Sequence, residues 1–474
     1  MALENTHYGA NGIGRLLQNT EGIWFLGVGG VSMSALAEMT LQRGFRVGGS
    51  DRADNARIER LRKMGANIEI GERDAIPKGY GAVVYTVAIS DGNLQYVYAK
   101  NAEIPRISRA DYLGYLMNGY EKRIGIAGMH GKSTCTAMCA EILLRAGDPT
   151  VMAGAELPAL GGDSCRIGKG RDAILFEACE YMDSFLCFCP NIAVVLNIGM
   201  DHVDYFHSMR QIEDSFRRYA EIAKNGAVLW NLDDGESQTI FKNCAYGKTF
   251  SALDPTADFY AAELRTKEGQ IGFTMVEKTG ERYPIKCRAV GRHHVYNALA
   301  AAGAARLAGV APETVARAMA GYQGVSRRME YRGSLNGCAV YSDYAHHPDE
   351  IRATLRGARE LLPKDGRLIC VYQPHTYSRT KGLFNDFAKA FRDADLVLFT
   401  DIYAAREQNE SGVSAEMLAK AAEQNGTNAL YTGDLKQTAQ TLPTQLKEKD
   451  VLIIMGAGDV NTIEERLPIQ KKDP

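Results

Sequence analysis

The chain has 474 residues, which is enough for about two to four domains with separate cores. Acidic and basic residues nearly balance at a formal charge of −2, so no basic field attracts nucleic acid or an anionic membrane. The N-terminal residues lack the apolar segment of a signal peptide, and no apolar run is long enough to span a bilayer, so we expect a cytoplasmic protein.

The first block of the chain predicts the opening βαβ unit of a dinucleotide-type fold. An apolar strand over residues 23–26 leads into the glycine turn Gly27-Val28-Gly29-Gly30-Val31-Ser32, and the helical pattern after it ends at Gly44. A second strand ends at Asp51, and a further strand ends at Thr86. Because doubly wound sheets bind ligands at the carboxyl ends of their strands, we expect a ligand crevice here.

A second glycine turn, from Gly128 to Thr134, has the features of a phosphate-binding loop. It reads GMHGKST, follows an apolar strand and opens a helix, whose N-terminus adds partial positive charge. Lys132 supplies a charge for the β- and γ-phosphates, and the Ser133 hydroxyl suits a magnesium ion. The loop is not a strict Walker A motif, because Ile126 stands at its first glycine position. A plain strand-to-helix turn is the alternative.

Carboxylates and a histidine follow the next strands. Glu177 and Glu180 lie at the end of the strand in FEACEYMDSF, where a carboxylate can hold magnesium. For one of them, an acid that offsets a helix dipole is the alternative. Asp201 and His202 follow another apolar strand, and the imidazole is a candidate ligand for a second metal ion.

A third α/β block begins near residue 328, with strands in RLICVYQ, DLVLFTD and DVLIIMGAG. Its segment SDYAHHPDE carries Asp343, which can accept from a ribose hydroxyl, and His346. The segment QPHTYSRT carries His375 and Arg379, whose guanidinium suits a carboxylate or phosphate. The chain therefore predicts three compact α/β domains with short hinges near residues 120 and 328.

Cysteines and histidines are distributed differently. The ten cysteines include no C-x₂-C pair, so we expect buried thiols in a reducing compartment rather than a zinc site, with Cys187 and Cys189 alternating in an apparent strand.

Most histidines lie in short polar clusters, and we predict that these form one composite active site, with separate capping and packing roles as the alternative. The clustered histidines are His130, His202, His293, His294, His346, His347 and His375.

In this order, the motifs resemble those of the bacterial Mur ligases over nearly the whole chain. They are GVGGVSMSALAE, GMHGKSTCT, EACEYMDSF, NIGMDHVDYF, GRHHVYNALAA, DYAHHPDEI, QPHTYSRT and GAGDV. The resemblance implies a Rossmann-like UDP-sugar-binding domain at residues 1–120, a central P-loop-type ATPase domain at 121–327 and a C-terminal Rossmann-like α/β domain for the amino acid at 328–474.

Within the family, the resemblance is greatest to the enzyme that joins L-alanine to UDP-N-acetylmuramate. It implies that ATP, with Mg²⁺, phosphorylates the lactyl carboxylate and that the amine of L-alanine attacks the acyl phosphate, in peptidoglycan precursor synthesis. The alternatives are a sister ligase that adds a recycled murein peptide to the same sugar nucleotide, and a nucleotide-binding regulator or oxidoreductase. We expect a monomer or homodimer, with neither nucleic acid nor membrane insertion.

The resemblance also implies roles for individual residues. The contacts implied for the sugar-nucleotide and amino-acid substrates are Gly27, Gly29, Gly30, Ser32, Asp51, Thr86 and His375. Those implied for ATP are Gly128, His130, Gly131, Lys132, Ser133, Thr134, His294, Asn297 and Asp343. The implied metal ligands are Ser133, Glu180 and His202. The implied catalytic residues are Lys132, Glu180, His202, His346 and Arg379. Cys179 stands where the family carries a carboxylate, and Thr376 where some relatives carry arginine.

Overall fold

The computed structural model describes residues 3–71, 73–202, 205–267, 269–405 and 407–470. The chain forms two compact units, one of residues up to 250 together with 300–314, the other of 251–299 together with the residues from 315 on. Within the described ranges, every helix is too short or too polar to cross a membrane.

The first unit opens with a five-stranded parallel sheet and its helices. The strands are β1 (Gly22–Leu26), β2 (Arg46–Asp51), β3 (Asn67–Ile70), β4 (Ala82–Tyr85) and β5 (Arg106–Ser108). The helices are α1 (Gly9–Leu16), α2 (Val31–Gln42), α3 (Ala56–Lys63), α4 (Leu94–Asn101) and α5 (Arg109–Met117). The strand order is β3-β2-β1-β4-β5, so successive connections leave β1 on opposite sides. The carboxyl ends of β1 and β4 therefore flank the crevice where doubly wound sheets bind ligands.

A second sheet in this unit carries the other glycine loop. Its strands are β6 (Lys122–Ala127), β7 (Thr150–Leu157), β8 (Asp163–Arg166), β9 (Ala173–Glu177), β10 (Ile192–Val195), β11 (Ala227–Asn231) and β12 (Gly247–Ser251). The helices are α6 (Lys132–Ala146), α7 (Met209–Ile222) and α8 (Gly235–Phe241), with 3₁₀ helices at Pro158–Leu160 and Tyr181–Cys187. The order β12-β11-β10-β6-β9-β7-β8 places β6 centrally, and within it only the β7–β8 pair is antiparallel.

One continuous hydrophobic core serves both sheets of this unit. Phe25 meets Tyr112 edge-on, and Phe185 stacks on Tyr219 with ring centroids 4.6 Å apart. Helix α5 approaches the 3₁₀ helix so closely that a Cβ on Gly114 would lie 2.0 Å from the carbonyl oxygen of Cys187. Only glycine permits this packing.

The strand predicted around Cys187 is wrong. Cys187 ends the 3₁₀ helix Tyr181–Cys187, inside which Met182 and Asp183 have positive φ values of 52° and 53°. Two successive left-handed residues turn the backbone, so an extended strand cannot continue here. The ten cysteines are all free thiols, and five of them are buried.

The second unit contains an antiparallel meander and a six-stranded sheet. The meander strands are β13 (Phe259–Lys267), β14 (Gln270–Glu277) and β15 (Arg282–Arg288), and the sheet strands are β16 (Glu330–Leu335), β17 (Cys338–Asp343), β18 (Leu368–Tyr372), β19 (Leu396–Thr400), β20 (Ala429–Gly433) and β21 (Val451–Met455). The sheet order is β16-β17-β21-β18-β19-β20, parallel except for β16. Its carboxyl edge receives the loops after β17, β18 and β21.

The remaining helices follow in chain order. They are α9 (His293–Leu307), α10 (Pro312–Ala320), α11 (Pro348–Ala358), α12 (Tyr377–Gly382), α13 (Phe384–Phe387), α14 (Ala415–Gln424) and α15 (Leu435–Gln445), with 3₁₀ helices at Arg359–Leu361 and Val460–Arg466. The meander strands are regular, and β15 alternates strictly between exposed and buried residues. Such alternation is typical of a half-buried strand.

Candidate active site

The loop between β6 and α6 depends on its two glycines. Gly128 has a φ of 138°, and a Cβ there would lie 3.0 Å from Cβ of Leu196. Gly131 is the left-handed N-cap of α6, with a φ of 84°. The Asn197 side chain, two residues after β10, accepts from the His130 N–H at 2.8 Å and donates to the His130 carbonyl at 3.0 Å. The loop is therefore fixed against the neighbouring strand.

Lys132, the first residue of α6, is paired with Glu180. Its Nζ donates to both carboxylate oxygens of Glu180, at 3.3 and 3.2 Å, and to the carbonyls of Gly128 and Met129. Burial lowers the pKa of Lys132, but Glu180, together with Cys179 and Glu177, raises it overall. The ammonium therefore stays charged at the mouth of the loop, as phosphate binding requires.

The two glutamates after β9 have separate partners. Ser133 donates through Oγ to Glu177 at 3.2 Å, and the Gly154 N–H donates to the same carboxylate at 2.6 Å. Glu180 precedes the 3₁₀ helix Tyr181–Cys187 but makes no side-chain capping bond to it. Its carboxylate bonds to Lys132 instead of capping that helix.

Beside this pair lies a candidate metal-binding group. One ligand atom each from Glu180, Asp201 and His202 lies within 4.8 Å of the others. His202 Nε2 is 3.7 Å from Glu180 Oε1 and 3.9 Å from Asp201 Oδ2, and its ring packs on Tyr181 at 4.7 Å. The positive φ of His202, 51°, is unusual for a residue with a side chain and marks a constrained position. Two carboxylates and an imidazole fit an oxygen-preferring divalent cation.

The first glycine turn, between β1 and α2, is fixed by the end of β2. Asp51 accepts from the Gly29 N–H at 2.8 Å, and the Ser50 carbonyl accepts from the Gly27 N–H at 2.9 Å. Gly27 has a φ of 77°, so this turn also requires glycine, and a Cβ on Gly29 would lie 2.6 Å from Nδ2 of Asn55. Asp51 thus shapes the loop.

The other residues predicted for the sugar nucleotide lie around the same turn. Gly30 is the N-cap of α2 without a side-chain capping bond, and Ser32 is in the first turn of α2. Thr86 follows β4, and its methyl would lie 3.4 Å from a Cβ on Gly27. Ser32 Oγ accepts from Nη1 of Arg109 at 3.1 Å. The sequence analysis did not select Arg109, which directly follows β5.

In the second unit, His294 and Asn297 form a buried pair on the first turns of α9. Asn297 Nδ2 lies 3.2 Å from His294 Nδ1, and the rings of His293 and His294 are 4.1 Å apart. Burial, with His293 and Arg328, lowers the pKa of His294 well below its ordinary value. His294 is therefore neutral at physiological pH.

Asp343, at the end of β17, is buried and bonded to backbone. It accepts from the Met329 and Ala345 N–H groups, both at 2.8 Å. Burial raises the pKa of its carboxyl, against the attraction of Arg328. These bonds fix the turn after β17, and the ribose contact implied for Asp343 stays a prediction.

The structure brings His346, His375 and Arg379 together. The rings of the two histidines are 6.1 Å apart, and Nδ1 of His375 is 3.5 Å from Nη1 of Arg379. Burial lowers the pKa of His346, and burial with Arg379 and His346 lowers that of His375 to about 4. His375 also stacks on Tyr403 at 5.6 Å. Two neutral imidazoles and one guanidinium therefore share this edge of the sheet.

Glu350 supports this cluster, and the sequence analysis missed it. Its carboxylate accepts from the His346 N–H at 3.1 Å and lies 3.5 Å from His346 Nδ1. Its position four residues after His346, in the first turn of α11, was the available indication. His347, by contrast, serves as the N-cap of α11 by accepting from the Asp349 N–H. The two neighbouring histidines therefore have different roles.

Thr134, the last residue of the second glycine loop, is buried in the first turn of α6.

Family models match three consecutive parts of the chain. They are the catalytic domain of the Mur ligase family at residues 22–121, the Mur ligase middle domain at 126–305 and the Mur ligase glutamate ligase domain at 327–458.

Relatives are similar over nearly the full length. The UDP-N-acetylmuramate–L-alanine ligase of Caldanaerobacter subterraneus subsp. tengcongensis is 39% identical, over 96% of this chain and 99% of its own. That of Caldicellulosiruptor saccharolyticus is 39% identical, over 92% and 96%. The crystal structure of UDP-N-acetylmuramate-alanine ligase from Thermotoga maritima matches with a TM-score of 0.74 and 25% identity, over 94% of this chain and 97% of that one. The chain belongs to the Mur ligase family.

Proposed function

We propose that the protein is an ATP-dependent ligase that joins L-alanine to the lactyl carboxylate of UDP-N-acetylmuramate, a step in peptidoglycan precursor synthesis. The observation that carries the proposal is the charged group at the second glycine loop, where Lys132 pairs with Glu180 beside Asp201 and His202. Phosphoryl transfer needs charge stabilisation and positioning in just such a loop. The names of the similar ligases supply the sugar nucleotide and the amino acid.

Three domains, at residues 1–120, 121–327 and 328–474, bind the UDP-sugar, ATP and the amino acid in that order. The turn from Gly27 to Ser32 binds the UDP-sugar at the carboxyl edge of the first sheet. The loop from Gly128 to Thr134 binds the triphosphate of ATP. The other contacts to ATP come from three residues, His294, Asn297 and Asp343.

The reaction has two steps. A lactyl carboxylate oxygen attacks the γ-phosphorus of ATP, and ADP leaves with the electrons of the broken bond. The amine of L-alanine then attacks the acyl carbon, loses a proton and expels inorganic phosphate. Lys132 and the N-terminal N–H groups of α6 stabilise the charge on the phosphate oxygens during the first step. Mg²⁺, which Glu180, Asp201 and His202 would hold with Ser133, supplies further positive charge when bound.

We assign the amino acid to the cluster of His346, His375 and Arg379. The Arg379 guanidinium suits the carboxylate of L-alanine. The attacking amine must be uncharged, and a neutral imidazole can accept a hydrogen bond from it. The low pKa of His375, about 4, keeps that side chain neutral at working pH.

The test is phosphate release from ATP in the presence of UDP-N-acetylmuramate, with L-alanine, other amino acids or the murein tripeptide added in turn. Release that requires both the sugar nucleotide and L-alanine supports the proposal. Release with the tripeptide alone favours the sister ligase, and thermal protection by NAD but not by UDP-sugar favours the oxidoreductase.

Two further properties are proposed with the function. We place the enzyme in the cytoplasm, since its ten free thiols suit a reducing compartment. We also propose a monomer or homodimer, which light scattering on the purified chain distinguishes.

A further inference from the structure

Arg109 is a cation for which the protein itself provides little compensation. It is the first residue of α5 and directly follows β5, so it lies at the carboxyl edge of the first sheet. It is partly buried, and within the described part of the chain its one hydrogen bond is to Ser32 Oγ, at 3.1 Å. Those residues provide no carboxylate within ion-pair distance of it.

The setting of this guanidinium is unfavourable without an anion. Burial lowers the pKa of Arg109, and only the thiols of Cys179 and Cys187 act in the opposite direction. A partly buried charge without a partner is costly, and an anion that binds beside it removes that cost. Arg60, in the same unit, is the opposite case, because it is largely exposed and paired with Glu38 at 2.9 Å.

The hydrogen-bond partner of Arg109 lies where anions bind in this type of fold. Ser32 is in the first turn of α2, a 12-residue helix whose N-cap, Gly30, contributes no side-chain capping bond. Free N–H groups and the helix dipole favour negative charge at this end. The turn between β1 and α2 is also where a doubly wound sheet receives the phosphates of its nucleotide.

We propose that Arg109 binds the diphosphate of the sugar nucleotide, together with Ser32 and the amino terminus of α2. This inference rests on the proposed function and adds to it a residue that reaches the ligand from the far side of the crevice, after β5. The planar guanidinium has donors enough to keep its bond to Ser32 and to donate to phosphate oxygens. The diphosphate is chosen over the lactyl carboxylate because Arg109 reaches the glycine turn itself.

The experiment measures by calorimetry the binding of UDP and of UDP-N-acetylmuramate to the full chain. Arg109→Gln is expected to weaken both ligands by about 10- to 100-fold, the range for a hydrogen-bonded charge. Arg109→Lys, which keeps the charge but not the fork, is expected to lose less. The matched control Arg60→Gln removes the same charge from a largely exposed side chain and is expected to leave both affinities and the KM for ATP unchanged.

The two ligands separate the possible contacts of Arg109. UDP has the diphosphate but neither the sugar nor the lactyl group, so a loss of affinity for UDP-N-acetylmuramate alone would overturn the diphosphate assignment. Unchanged affinity for both ligands in Arg109→Gln would overturn it as well. If the unaltered protein binds neither ligand, that result contradicts the proposed function itself and not only the assignment of Arg109.

Thermal stability distinguishes binding from a structural role. Because the guanidinium has no charged partner, Arg109→Gln is expected to leave the ligand-free Tm unchanged or to raise it, while the Tm increase produced by UDP shrinks. A ligand-free Tm that falls by several degrees in both Arg109→Gln and Arg109→Lys, with UDP affinity retained by Arg109→Lys, would make Arg109 a structural residue and overturn the proposal.

Discussion

Replacing Glu180 by Gln removes the charged partner of Lys132 and keeps the size of the side chain. The shorter of the two Lys132–Glu180 contacts is 3.2 Å, and the Glu180 side chain is only 5% exposed. At an effective dielectric constant of about 20, two unit charges at that distance attract by about 5 kcal/mol. Breaking a buried pair costs roughly 3–5 kcal/mol, because one charge stays buried without its partner.

We expect Glu180→Gln to cost about 3 kcal/mol of stability, the lower end of that range. Lys132 Nζ keeps two acceptors in Glu180→Gln, the carbonyls of Gly128 and Met129. A loss of about 3 kcal/mol in a unit of this size lowers the Tm by roughly 6–10 °C. The assay is a thermal melt of the ligand-free protein, with phosphate release from ATP measured on the same preparations. Phosphate release is expected to fall to background, because Glu180 is also a proposed metal ligand.

A double variant and a surface control make the test specific. Glu38→Gln breaks the pair with Arg60, whose side chain is 57% exposed, so it is expected to cost only about 1 kcal/mol. The double variant Lys132→Met with Glu180→Gln leaves no unpaired charge and is expected to recover at least half of the lost Tm. The reasoning is refuted if the two single losses simply add, or if Glu180→Gln melts like Glu38→Gln.

Lys132→Ala is expected to abolish ATP-dependent phosphate release while calorimetry still detects UDP-N-acetylmuramate; loss of both activities would contradict the assignment of separate sites. Asp51→Ala is expected to weaken sugar-nucleotide binding by about 1–3 kcal/mol, because its carboxylate fixes the Gly29 N–H at 2.8 Å; unchanged affinity would leave Asp51 no part in shaping the loop. The folded-state pKa of His375, about 4, is below its unfolded value, so its contribution to stability is complete above about pH 6.5 and is lost as the pH falls toward 4. His375→Phe should therefore lose less Tm than the unaltered protein between pH 7 and pH 4.5, and an equal loss would contradict that pKa.

Motifs that carry their own local geometry could be predicted from the sequence. Gly128 and Gly131 need backbone conformations that other residues rarely adopt, and Lys132 must follow them for its charge to reach a phosphate. The α/β fold class was also predictable, because buried apolar strands alternate with helical patterns along the chain. Full-length similarity to Mur ligases confirms that fold class and the family resemblance.

Partners that are distant in sequence were not predictable in the same way. Arg109 reaches Ser32 across 77 positions, and Asn197 fixes His130 across 67, contacts that follow from strand order and not from local pattern. The 3₁₀ helix ending at Cys187 likewise replaces an expected strand because two preceding residues take left-handed backbone angles.

The positions of the two glycine loops could be read from the sequence alone, because glycine, lysine and helix-forming residues act over a few neighbouring positions. The partner of each charged side chain at these loops depends instead on the folded chain. In the folded chain, Glu180 accepts from Lys132, Glu177 accepts from Ser133, and Asp51 accepts from the backbone of the first glycine turn. These choices depend on which strand ends meet at one edge of a sheet, because electrostatic attraction and hydrogen bonding act over a few ångströms of space regardless of separation along the chain.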